Sequence, residues 1–93
     1  MELGPIDSPI STTALGTARR GYRGSVVCLL PIEGRGRLSS HEMERRLIEL
    51  GFIEGAEIEV LHEGPFGRDP IAVRVGHATV ALRRRDAMAI LAR

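Results

Sequence analysis

The chain has 93 residues and a near-balance of 13 basic and 12 acidic side chains, for a net charge of +1. That length makes one small domain, burying only about 60 to 65% of its unfolded surface, and the charge gives no global field toward nucleic acid, membranes or acidic substrates. One cysteine, Cys28, excludes an internal disulfide framework and an all-cysteine metal site, and fits a reducing cytosol. The longest apolar run, Val26 to Leu30, is far shorter than the roughly 20 residues of a membrane span. The N-terminus lacks the basic and apolar regions of a signal peptide, so a cytoplasmic location is expected. Tyr22, Phe52 and Phe66 are the only aromatics, a poor supply for stacking bases.

In chain order, residues 1–11 are rich in Pro, Ser and Gly without periodicity and read as a mobile N-terminal arm, leaving 12–93 as the domain. Thr12 to Ala18 predicts one capped helical turn with Leu15 tucked against the core, followed by a loop at Arg19-Arg20-Gly21. Gly24 to Leu30 predicts a strand buried on both faces, with Cys28 as a buried small hydrophobe, closed by Pro31. Residues 33–37 read as a flexible basic loop. Its Gly34-x-Gly36 lacks the Lys-Ser/Thr of a Walker loop and the third glycine of a dinucleotide site, so a solvated loop is the better reading.

Ser39-x-x-Glu42 is a capping box opening a helix from about Ser40 to Leu50, with Met43, Leu47 and Leu50 as its apolar stripe and Glu42 with Arg46 as an i,i+4 ion pair. Gly51 stands where a left-handed residue ends the helix, letting Phe52 fold back on Leu47. Glu54-Gly55 fits the centre of a type II turn. Glu57 to Val60 alternates as a half-buried strand, and residues 63–70 form a loop dense in turn formers, with Phe66 at its middle either covering a barrel end or standing out as an anchor. Ile71-Val73-Val75, a Gly76-His77 type II′ hairpin, and Val80 with Leu82 continue a meander. Arg83 to Met88 makes a short helical turn before a last strand at Ala89 to Ala92. Five short strands, one inserted α-helix and a helical turn before the last strand describe a mainly β, small SH3-like barrel.

The chain offers little catalytic chemistry. Its serines lie at capping or loop positions, and no Gly-x-Ser-x-Gly elbow occurs, so no enzyme is expected. His41, His62 and His77, with Glu63, Asp69 or Cys28 as candidate co-ligands, match no zinc or iron spacing and read as solvent histidines, with a divalent transition metal bridging two copies as the alternative use. Arg83-Arg84-Arg85 is the one dense basic run, read first as solvated and second as a patch for phosphate or an acidic partner surface.

The pattern Arg46-Leu47-x-x-Leu50-Gly51-Phe52-x-x-Gly55-x-x-Ile58-x-Val60, then Pro65-x-Gly67-x-Asp69-Pro70 and Leu82-Arg83-x-x-x-Ala87, resembles the FeoA family over about Leu15 to Arg93. The resemblance implies a small cytosolic SH3-like barrel, not an enzyme and without a cofactor, associated with FeoB, a ferrous iron transporter carrying a cytosolic GTP-binding domain. It implies a partner surface at Arg46, Pro65, Phe66, Asp69, Pro70 and Arg83. The same barrel ends metal-dependent repressors, but no helix-turn-helix segment stands ahead of it here. The chain departs from the pattern at Glu54, where proline is usual, and at Arg68, an insertion that lengthens the loop.

Three functions are therefore weighed. The leading one is a non-enzymatic accessory of ferrous iron transport that docks on FeoB without inserting into the membrane. The alternative is a metal-responsive module that self-associates or regulates a partner. A nucleic-acid binder has the arginines in its favour and the charge and scarce aromatics against it.

Overall fold

In the computed structural model the described residues are 11–32 and 39–93. The expected basic loop at 33–37 and all of the expected arm except Ser11 lie outside them. Six strands are present: β1 (Thr13–Ala14), β2 (Arg23–Leu29), β3 (Glu57–Glu63), β4 (Ile71–Val75), β5 (Ala78–Leu82) and β6 (Ile90–Ala92). A 3₁₀ turn at Leu15–Thr17 follows β1, helix α1 (Ser40–Leu50) lies between β2 and β3, and the short α2 (Arg84–Ala87) precedes β6. The strands form one antiparallel sheet in the order β1-β6-β2-β3-β4-β5. Register shifts between Val26 and Cys28 and between Val60 and His62 bend β2 and β3, as bulges do. The sheet curls over its core without closing, since β1 and β5 do not pair with each other.

The mainly β architecture follows the sequence reading, with two corrections. β1 is a sixth strand that the sequence did not suggest; two residues carry no period, and the pairing of Thr13 with Ala92 spans nearly the whole chain. β2 is not buried on both faces: Val26 is buried, Val27 half-buried, and Cys28 exposed rather than a core hydrophobe. The bulge between Val26 and Cys28 interrupts the alternation there, so this apolar run does not have two covered faces.

Helix α1 is built by local signals. The Ser39 hydroxyl accepts from the Glu42 amide and the Glu42 carboxylate accepts from the Ser39 amide, each at 3.2 Å. The Glu42 carboxylate is engaged by the Ser39 amide, and the anticipated ion pair with Arg46 does not form. Met43 and Leu47 are buried and Leu50 packs at their edge. Gly51, at φ 112°, ends the helix: its N–H donates to Ile48 and that of Phe52 to Leu47, the paired bonds of a Schellman motif. Phe52 is thus driven fully into the core beside Leu15, Leu47, Ile71 and Ile90. The turn at Ile53–Ala56 closes with Ala56 N–H donating to Ile53 and Gly55 at φ 86°, as a type II turn requires.

A methyl group on Gly51 would meet Val75 no closer than 3.5 Å, so only its backbone conformation resists a side chain. Gly51→Ala is expected to lower stability by about 1–2 kcal/mol. The urea midpoint should fall with an unchanged slope; an unchanged midpoint would show that the helix end does not depend on this residue.

Candidate functional site

The loop between β3 and β4 exposes four consecutive residues, 65–68. Phe66, at its tip, is 79% exposed, the most exposed large apolar side chain among the described residues. Pro65, Gly67 and Arg68 beside it are also exposed. Gly67 and Arg68 take φ values of 68° and 64° in succession, and Arg68 is the one non-glycine there with a positive φ. The loop's base, by contrast, is fixed. The Gly64 N–H donates to the Pro70 carbonyl at 2.8 Å, and a Cβ on Gly64 would stand 2.5 Å from the Asp69 carbonyl oxygen, so only glycine allows this approach. The Asp69-Pro70 peptide bond is cis.

Arg84 connects the base to the rest of the molecule. Its Nε donates to the Arg68 carbonyl at 2.7 Å, Nη1 to the Ala18 and Gly16 carbonyls at 2.6 and 3.2 Å, and Nη2 to Glu63 Oε2 at 2.7 Å. Its backbone N–H donates to Asp69 Oδ1 at 2.9 Å, capping α2 from a loop 15 residues away where the local Arg83 offers no side-chain cap. The Arg84 and Glu63 side chains are only 19% and 18% exposed. A planar guanidinium with donors fanned in one plane suits such a set of acceptors better than a lysine would. Arg19 approaches the same Glu63 oxygen at 3.4 Å. Gly16 completes the junction, because a Cβ there would fall 2.3 Å from the Arg84 carbonyl oxygen.

The sequence-predicted residues are distributed around this junction unequally. Pro65 and Phe66 form the exposed tip; Asp69 and Pro70 sit half-buried at the base, where Asp69 has an internal bond to Arg84; Arg83 is exposed at the start of α2. Arg46 stands apart on the exposed side of α1 with Glu42, Arg45 and Glu49, and no hydrogen bond or ion pair joins it to the loop. The helix end at Gly51 lies against Val75, the last residue of β4, whereas the loop enters β4 at Ile71. The pairing of Glu63 with Arg84 is not legible in the sequence, which offers Glu63 only as a candidate metal co-ligand and Arg84 only as the middle of a basic run. Nothing in the local sequence separates it from Arg83 and Arg85; its partners lie up to 68 residues away.

His41, His62 and His77 are exposed on α1, on β3 and in the β4–β5 hairpin respectively. No group of three His, Cys, Asp or Glu residues that could hold a metal ion occurs among the described residues. A shallow depression of about 460 Å³ lies between Arg23, Ser25, Glu57, Glu59 and Arg74. Glu59 is clamped there by Arg74 and, at 3.4 Å, by Arg23, so the charges facing it largely satisfy one another.

The family model described as the FeoA domain matches residues 13–93. The chain belongs to the FeoA family. A FeoA described as an iron uptake regulatory protein superposes with a TM-score of 0.70 at 25% identity, covering 90% of this chain and 97% of its own. FeoA of Stenotrophomonas maltophilia, solved with zinc, has a TM-score of 0.70 and 27% identity over 87% of this chain and 89% of its own. It is described as a prokaryotic SH3 domain protein and a candidate activating factor for ferrous iron transport. A FeoA-like protein of Clostridium acetobutylicum reaches a TM-score of 0.74 at 24% identity, covering 91% and 88% of the two chains, a likeness of fold. A search of curated proteins returns no match. The SH3-like fold expected from the sequence is thus shared with FeoA structures. No helix among the described residues is long and apolar enough to cross a membrane.

Arg84→Ala should cost about 3 kcal/mol, because Glu63 and several carbonyls lose their donor in a place water reaches poorly. Arg83→Ala, one residue earlier but exposed, should stay within about 0.5 kcal/mol of the parent. Urea denaturation of the two variants checks the contrast, and equal losses would remove Arg84 from its central place.

Proposed function

We propose that this FeoA-family chain is a non-enzymatic accessory protein of ferrous iron transport that works in the cytoplasm by docking onto the cytosolic part of a FeoB transporter. The observation that carries this reading is Phe66, held out at 79% exposure on a loop whose ends are fixed by Arg84 and Asp69. An aromatic presented on a pre-ordered loop binds with little further loss of freedom, and buried aromatics rank among the side chains that dominate interface energies. Pro65 stiffens the approach to the tip, Arg83 supplies a charge at its rim, and Asp69 and Pro70 hold the loop's shape. Arg46, on a different element, belongs to the outer part of any footprint wide enough to reach α1.

Docking can alter transport only if the two states of the transporter's GTP-binding domain bind this surface unequally. The loop then acts as a wedge that favours one state, and no chemistry is required of the chain. The family membership and the description of the Stenotrophomonas protein as a candidate transport-activating factor support this reading.

Titrating the chain against the isolated GTPase domain of FeoB, with and without nucleotide, is expected to show nucleotide-sensitive binding. The pair Phe66→Ala and Arg83→Ala should weaken it by about 2 kcal/mol, roughly 30-fold, while leaving the melting curve in place. Unchanged affinity would take the loop out of the interface. The metal-responsive alternative draws support from the zinc complex of the Stenotrophomonas protein. With His41, His62 and His77 on separate elements, that alternative needs a metal bridging two copies; calorimetry with Fe²⁺, Zn²⁺ or Mn²⁺ tests it, binding coupled to dimer formation favouring it and no binding at micromolar ion ending it.

A further inference from the structure

The large apolar side chains exposed among the described residues are Ile48, Ile53 and Phe66, and they lie at two opposite ends of the β3–β4 hairpin. Ile48 is on the last turns of α1 and Ile53 opens the turn into β3, where Gly55 bonds to Val26 and the helix end rests on Val75. Phe66 is on the loop at the other end, beyond Glu63 and before Ile71. About 20 Å of β3 separates the two ends. No contact within one chain can join them.

The two ends also differ in charge. On the loop and on the elements bonded to it the exposed charges are Arg19, Arg68, Arg83 and Arg85; Glu63 is held by Arg84 and, at 3.4 Å, by Arg19, Asp69 is bonded to the Arg84 N–H, and Asp86 stands 3.9 Å from Arg85. Beside Ile48 and Ile53 in the chain stand Glu44, Glu49, Glu54 and Glu57, all exposed, with Arg45 and Arg46 among them; Arg23 and Arg74, which line the depression next to Glu57, are taken up by Glu59. The net charge of +1 hides this polarity, because the surpluses cancel over the chain.

We infer that the Phe66 end of one copy docks onto the Ile48–Ile53 end of a second copy, the aromatic meeting the two isoleucines and the arginines of one end facing the glutamates of the other. The occupant is a second chain because the two patches match in both respects: apolar centre to apolar centre and basic rim to acidic rim. The contact is heterologous. Each dimer leaves one unused patch of each kind, so growth is head to tail and the assembly is open. A single aromatic and a rim of exposed ion pairs make it weak and sensitive to salt. The inference does not depend on the transporter reading, but it bears on it, since a loop engaged by a second copy is withheld from any other partner.

Sedimentation velocity on the full chain tests this. The weight-average sedimentation coefficient should rise with concentration at low salt and return to the monomer value at high salt. Phe66→Ser alone, and Ile48→Ser with Ile53→Ser, should each give monomers. Mixed in equal amounts, these two variants should form dimers and nothing larger, because each keeps one intact patch. Should either set melt early, Arg83→Glu with Arg85→Glu and Glu49→Lys with Glu54→Lys should each give monomers, and their mixture should assemble again, because the two reversed ends complement each other as the native ends do. A parent chain that stays monomeric at about 1 mM in low salt would overturn the inference. So would a mixture that remains monomeric, or an assembly that persists in either single-patch variant.

Discussion

The guanidinium of Arg84 holds together parts of the chain that have no other reason to be adjacent. It meets carbonyls at Gly16 and Ala18 from the 3₁₀ turn after β1, the Arg68 carbonyl from the β3–β4 loop and the carboxylate that ends β3, while its own N–H is capped by Asp69. An arginine taken mostly out of water adds little net stability when fully paired, and the same pairing makes its removal expensive. Its main contribution is therefore to geometry. The β3–β4 loop, the start of α2 and the turn after β1 are fixed with respect to one another, and the tip inherits that order.

The remaining architecture follows from short-range chemistry and so could be read directly. Ser39 with Glu42, Gly51, the Glu54-Gly55 pair and Gly76-His77 each specify a cap or turn through residues no more than a few positions apart, and each stands where the sequence places it. What was not legible depends on distant partners. β1 exists because Thr13 and Ala14 meet Ala92 and Leu91. Cys28 is exposed because a bulge interrupts the strand around it, and bulges have no compositional mark at this position. Arg84 differs from its two neighbouring arginines only through contacts across much of the chain.

The candidate surface shows the same division. Phe66 was legible as an isolated aromatic in a loop of turn formers, and the structure answers the question the sequence left open: it projects rather than folding over the core. Asp69 and Pro70, grouped with it by the family pattern, sit deeper and maintain the loop from below. One motif thus contains both the presented residue and its support, so motif matching alone does not separate them.

The closed neck of the loop has an evolutionary corollary. Because Gly64 and Pro70 are bonded to each other at its base, the residues between them are tied off from the sheet, and a change in their number is absorbed without disturbing the strands. Arg68 stands within this tied-off stretch, on a left-handed backbone at the tip. A tied-off loop of this kind lets descendants of one barrel diverge in what they recognise while inheriting the same scaffold, and it marks residues 65–68 as a place where a foreign peptide can be grafted for display.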